Sequence, residues 1–229
     1  MKKLLVLLAW FPLLAYGQRD SANMAVKLNI ASPFDVFYFP TVDLALEHRL
    51  GDRFSVQGEA GYQLYRFGSP DTVFITPSGH KLKLEMRFYR PFEGLRGTPS
   101  GHGSLSGFYT GFNIFYRAEK YNASILYTQK DDTTTYRDYF WTDKSAWGGN
   151  LLFGYQEIYW GRLIIDGYAG IGVLDRKITN NFRDYDPSKG HSEAPCDDLD
   201  CVLSGRDLAE KEGVGANLTL GFRVGYVIY

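Results

Sequence analysis

Hydrophobic and polar residues alternate in one segment of this chain after another. In "VKLNI", Val26, Leu28 and Ile30 share a face, with Lys27 and Asn29 opposite. "TVDLALEHRL" sets Val42, Leu44 and Leu46 against Asp43, Ala45 and Glu47. "FSVQGEAGYQLY" sets Phe54, Val56, Ala60, Tyr62 and Leu64 against Ser55, Gln57, Glu59 and Gln63. "HKLKLEMRFY" opposes Leu82, Leu84, Met86 and Phe88 to Lys81, Lys83, Glu85 and Arg87. The contrast weakens but persists in "GFYTGFNIFYR", "WGGNLLFGYQ", "RLIIDGYAGIGV" and "NLTLGFRVGYVIY". A period of two belongs to strands, because successive side chains point to opposite faces. The pattern predicts eight strands, with at most a turn or two of helix in "GRDLAEKEG".

The connectors "LGDR" and "YWGR" are short, whereas those around Asp71, Asp131 and Asp198 are long and polar. Short and long connections therefore alternate, except for the Gly-, Pro- and Ser-rich insertion from Pro91 to Gly107. Glu119 to Ala146 and Leu174 to Gly213 read as mostly loop. Aromatics gather at strand ends: Tyr65 with Phe67, Phe88 with Tyr89, Phe115 with Tyr116, Tyr159 with Trp160. Pairs of this kind form girdles where a barrel meets a membrane interface. The expected fold is an all-β, eight-stranded antiparallel transmembrane β-barrel with short periplasmic turns and long extracellular loops. Lipid then takes the apolar faces and the charges look into the lumen.

The N-terminus sets the compartment. Lys2 and Lys3 precede an apolar run from Leu4 to Leu14, then Ala15, Tyr16 and Gly17 before Gln18. This is the layout of a secretory signal peptide, shorter than a membrane-spanning helix. Residues 1–17 are read as the leader and 18–229 as the barrel domain, exported to the bacterial cell outer membrane. Net charge is −1, and loss of the two leader lysines takes it to −3. Without a basic excess, nucleic acid is not an expected partner. The two cysteines, Cys196 and Cys201 in "PCDDLDC", read as a small disulfide loop rather than a metal site. No metal or cofactor is expected.

"LALEHRLGDRFSVQGEAGYQLY" and "KLEMRFY" resemble the small outer-membrane barrels of the OmpA and OmpX type, and within them the family known as domain of unknown function 3575. The looser stretches "GFYTGFNIFYR" and "RLIIDGYAGIGV" extend the resemblance over most of the mature chain. The resemblance implies a membrane barrel and assigns no activity.

An eight-stranded barrel has an interior that side chains just fill. Glu47, Glu59, Glu85, Arg87, Asp166 and Arg223 are the expected lumen charge network, read as a structural plug ahead of an ion path. The histidine and serine of "GHGS" (His102, Ser104) and of "HSE" (His191, Ser192, Glu193) lie in connectors. A triad needs a fold that brings its members together, so the chain is expected not to be an enzyme. The expected role is structural, or surface interaction and adhesion through the loops, with Tyr139, Phe140 and Trp141 as loop contact candidates. Expected partners are outer-membrane lipid, the barrel-assembly machinery during biogenesis, and a surface protein or glycan. The alternatives are an outer-membrane lipid-modifying hydrolase and a soluble exported β-barrel binding a small apolar ligand. The charged second face counts against the last.

Overall fold

The computed structural model describes residues 23–32, 39–63, 75–89, 105–130, 134–193 and 211–228. The leader, Tyr65, Phe67, His102, Ser104, Cys196, Cys201, Tyr229 and most of the insertion after Pro91 lie outside the described residues. Nine strands follow in order. They are β1 Met24–Asn29, β2 Thr41–Arg49, β3 Phe54–Gln63, β4 Ser78–Tyr89, β5 Gly107–Thr128, β6 Thr135–Tyr159, β7 Leu163–Asn181, β8 Ser192–Glu193 and β9 Lys211–Ile228. A 3-10 turn spans Pro187–Lys189.

Eight of these strands close into a ring in which every neighbour is antiparallel. β1 to β7 pair in sequence order, β9 pairs with β7, and β9 closes on β1. β8 stands outside the ring, on β5 through Tyr127↔Glu193 and Thr128↔Ser192. The stagger follows from the registers. Paired residues run from Lys27 through Ala45, Glu59, Lys83, Phe115, Gly148 and Leu174 to Gly215. Lys27 itself pairs with Gly225, so one circuit of the ring climbs ten residues along β9. A closed ring requires such a stagger because its strands are tilted.

The β2–β3 and β6–β7 connections lie at the same end of the ring as Met24 and Ile228. In the second, Trp160 (φ 50°) and Gly161 (φ 72°) both take left-handed backbone, and the Arg162 N–H donates to the Tyr159 carbonyl at 3.0 Å. Two successive positive φ values twist a hairpin the way its strands twist.

The faces are inverted relative to a water-soluble barrel. Leu44, Leu84, Phe112, Ile114, Leu151, Phe153, Ile171 and Leu220 point outward and are exposed, whereas Lys27, Glu47, Glu85, Arg87, Asp166 and Arg223 are buried inside. Two aromatics expected in the girdle turn inward: Tyr89 is buried, and Phe115 shares the lumen face with Asn113. Period two puts neighbours on opposite faces, so only Phe88 and Tyr116 of those pairs face out.

Much of what reads as loop is strand. β5 runs on to Thr128, β6 begins at Thr135, β7 reaches Asn181 and β9 starts at Lys211. The cause is a change of phase. Along the first part of β5, Phe108, Phe112, Ile114 and Tyr116 face out; beyond Arg117, the apolar residues Tyr121, Ala123, Ile125 and Tyr127 are buried on the inner face. The apolar face switches sides within one strand, and a search for one uninterrupted alternation loses it there.

Small residues let large ones enter the ring. Tyr168 crosses Gly221, its partner on β9, and Tyr109 crosses Gly154 on β6. Gly58 faces outward with open space around it. Gly221→Val is expected to collide with the Tyr168 ring and cost about 1–3 kcal/mol of stability, the range for overpacking. Gly58→Val is expected to change stability by less than about 0.5 kcal/mol. Urea midpoints of the two folded variants check the contrast.

Candidate functional site

The lumen holds one charge cluster to which every strand of the ring contributes. Lys27 (β1) lies 2.5 Å from Glu47 (β2) and 3.2 Å from Asp166 (β7). Arg87 (β4) reaches Glu85 at 2.6 Å and Asp166 at 3.0 Å. Arg223 (β9) meets Glu59 (β3) at 2.7 Å, Glu85 at 3.2 Å and Asp166 at 3.2 Å. Lys83 donates to Glu59 at 2.8 Å. Tyr109 (β5) donates its hydroxyl to Asp166 at 2.8 Å. The Gln156 (β6) side-chain oxygen accepts from Arg87 at 3.0 Å. Four cations thus face four carboxylates, and the formal charges cancel.

The arrangement explains how charge survives there. A buried ion is costly unless partners satisfy it from several directions. Asp166 is approached by Lys27, Arg87 and Arg223 and also accepts from Tyr109. Tyr89 and Ser55 both donate to Glu47. The two guanidinium planes lie over aromatic rings, Arg87 over Tyr109 at 4.3 Å and Arg223 over Tyr168 at 3.9 Å. Further along the lumen an amide tier continues the filling. Asn150 donates to Asn113 at 2.9 Å, and Asn217 donates to Asn150 at 2.6 Å. Among the described residues, buried ionic and amide groups therefore fill these levels of the lumen.

All six of the expected lumen residues, Glu47, Glu59, Glu85, Arg87, Asp166 and Arg223, come together in this cluster. Lys27, Lys83, Gln57, Gln156, Tyr89, Tyr109 and Tyr168 join them without having been singled out in the sequence. Lys27, Lys83 and Gln57 share the polar phase of their strands, which was the available signal. The tyrosines are hidden by their aromatic character; pairing with Gly154 and Gly221 identifies Tyr109 and Tyr168, and pairing needs the register.

A second assembly stands beyond the ring. The upper halves of β5 and β6 form a hairpin whose inner face carries Tyr121, Ala123, Ile125, Tyr127 and Phe140, packed with Tyr185. The segment after β7 folds over that face. Asp138 accepts the N–H groups of Asp184 at 2.7 Å and Tyr185 at 2.9 Å. Arg183 lies over Tyr185 at 4.6 Å, and His191 stacks on Tyr127 at 4.8 Å. At the 3-10 turn, the hydroxyl and N–H of Ser188 both donate to Asp186 and hold its carboxyl below the usual carboxylate range.

The loop contact candidates are corrected by this lobe. Tyr139, Phe140 and Trp141 lie on β6, not on a loop, and Phe140 is fully buried. Trp141 faces outward and packs on Phe182 at 4.4 Å. Period two again decides which of three adjacent aromatics is available. The "HSE" residues are placed in the same lobe: His191 Nδ1 accepts from the Asp186 N–H at 3.1 Å, and Ser192 and Glu193 form β8.

Fold and lumen together define a closed eight-stranded antiparallel barrel with a charged, side-chain-filled interior. The family described as "Protein of unknown function (DUF3575)" matches residues 3–194, and the chain belongs to that family. No curated protein and no solved structure matches the chain.

Glu85→Gln strips a charge from beside both Arg87 and Arg223 and is expected to cost about 3–5 kcal/mol, the range for breaking one side of a buried pair. Leu84→Ala, one residue away on the exposed outer face, is expected to be clearly milder. Denaturant midpoints of both variants check this. In the lobe, Phe140→Ala is expected to cost about 3–5 kcal/mol of local stability. Limited proteolysis then cuts residues 182–193 faster while the ring persists.

Proposed function

We propose that this protein is an integral outer-membrane barrel whose lumen is sealed by the charge cluster and whose work is done at its surface. The observation that carries the reading is the change of phase along β5. Phe108, Phe112, Ile114 and Tyr116 expose apolar surface to the outside, and Tyr121, Ala123, Ile125 and Tyr127 bury it inside. A strand that leaves hydrocarbon and enters water must make this change, because lipid favours apolar side chains outside and water favours them within. Closure of β9 on β1 supports the reading, since a barrel in lipid leaves no edge with unpaired backbone groups. No helix among the described residues is long and apolar enough to span, so crossing falls to the strands.

On this reading the β5–β6 lobe projects beyond the outer leaflet. It is a packed platform, suited to structural or adhesive contact with a surface protein or glycan. Loops and projections on a rigid scaffold commonly carry function. Biogenesis follows the barrel-assembly route, and the leader directs export.

Outer-membrane fractionation and gel mobility with and without boiling test the reading. The folded chain is expected in the outer membrane, to require detergent, and to change mobility on heating. Recovery of folded monomer from detergent-free periplasmic extract overturns it. In planar bilayers the intact protein is expected to show no stable conductance steps, because the lumen is filled; steady porin-like steps would remove the sealed-lumen reading alone.

A further inference from the structure

The outer face of the ring carries two grooves. A groove of about 1050 Å³ runs across the outer face among Leu44, Leu82, Leu84, Ile114, Tyr116 and Trp147. Its floor is lowered where small residues stand, at Gly58, Ala60 and Gly149. A second groove of about 420 Å³ crosses β4 to β7, and its outward residues other than Ala118 are polar. The registers make the two contiguous. The row Leu82–Tyr116–Trp147–Asp175 borders the apolar groove, and the next row, His80–Ala118–Ser145–Lys177, borders the polar one.

The polar groove has its own charge pattern. Lys177 is exposed and makes no ion pair among the described residues. Lys120 lies 3.9 Å from Asp143, too far for a tight pair, and 5.2 Å from the Trp141 ring centroid. His80 leans on Tyr116 at 5.7 Å. Two lysines and an imidazole thus stand directly above an aromatic rim and an apolar groove, opposed by Asp143 within the polar groove and by Asp175 on the rim. The arrangement fits an amphiphile with an anionic head and long hydrocarbon tails. A soluble anion has no use for the groove beneath, and a neutral lipid has none for the lysines.

Resting on the membrane reading above, we infer that β4 to β7 form a specific site for a phosphate-bearing outer-leaflet lipid. Its phosphate sits between Lys120 and Lys177, and its acyl chains lie in the groove below. Each lysine near a lipid phosphate contributes about fivefold in affinity.

The test uses the full chain purified as folded, heat-modifiable protein in a neutral detergent. The probe is lipid A carrying two phosphates, compared with the same lipid after enzymatic dephosphorylation and with inorganic phosphate. Binding is read by native mass spectrometry and titration. The intact protein is expected to retain the phosphorylated lipid in a saturable complex, the dephosphorylated lipid much less, and inorganic phosphate not at all at equal concentration. The double variant Lys120→Gln with Lys177→Gln is expected to bind roughly twenty- to thirtyfold more weakly, two lysines at that increment. Lys130→Gln, on the exposed turn after β5, is expected to bind as the parent does. Asp143→Asn removes a repelling carboxylate and is expected to tighten binding. Equal retention of both lipids, or an unchanged affinity in the folded double variant, overturns the site while leaving the barrel in its membrane. Inorganic phosphate binding as well as the lipid also overturns it, since the acyl groove then contributes nothing. A chain that folds without detergent sinks the membrane reading before any lipid is added.

Discussion

A carboxylate or guanidinium shut inside a protein is tolerated only when its partners arrive with it. In this barrel the partners arrive from all eight strands of the ring: Lys27 from β1, Glu47 from β2, Glu59 from β3, Arg87 from β4, Tyr109 from β5, Gln156 from β6, Asp166 from β7 and Arg223 from β9. The cluster therefore exists only in the closed ring. It also locks the register. A slip of one residue would send a strand's inner set to the outer face, expelling its charge from the lumen and leaving the others unbalanced. Closure, register and burial of charge are one cooperative event.

On the membrane reading proposed above, the outer surface answers to a different solvent. Below the level of Tyr116 and Trp147 the ring shows apolar side chains to the outside; above it, β4 to β7 show His80, Lys120, Asp143 and Lys177. Further on, β5 and β6 bury a small aromatic core with Tyr185. A single strand, β5, serves three environments in succession. On the function proposed above, recognition chemistry concentrates on the outside, in the packed lobe and the paired grooves.

How much of this was legible depended on range. Alternation is a local property, and it marked the eight strand segments, the inward phase of Glu59, Glu85, Arg87 and Arg223, and the outward phase of Leu84 and Leu220. It failed where the apolar face changes sides after Arg117, because the two halves of β5 carry opposite phases and neither is long. The girdle expectation also failed for Tyr89 and Phe115, whose rings turn inward by position, and the inward turn of Tyr109 and Tyr168 had no signal in composition.

By itself the sequence determined the strand class, the order of the elements and which residues share a face, since all three follow from side chains alternating every two positions along an extended backbone. It established an inner set of both charge signs and an outer set suited to hydrocarbon. Only the tertiary structure decided which charges meet. Pairing across the ring depends on a stagger of ten residues accumulated over eight registers, and that sum is set by closure rather than by any one segment. The same closure brings Lys120 and Lys177, 57 residues apart in the chain, to adjacent rows of one groove. No local pattern encodes that distance.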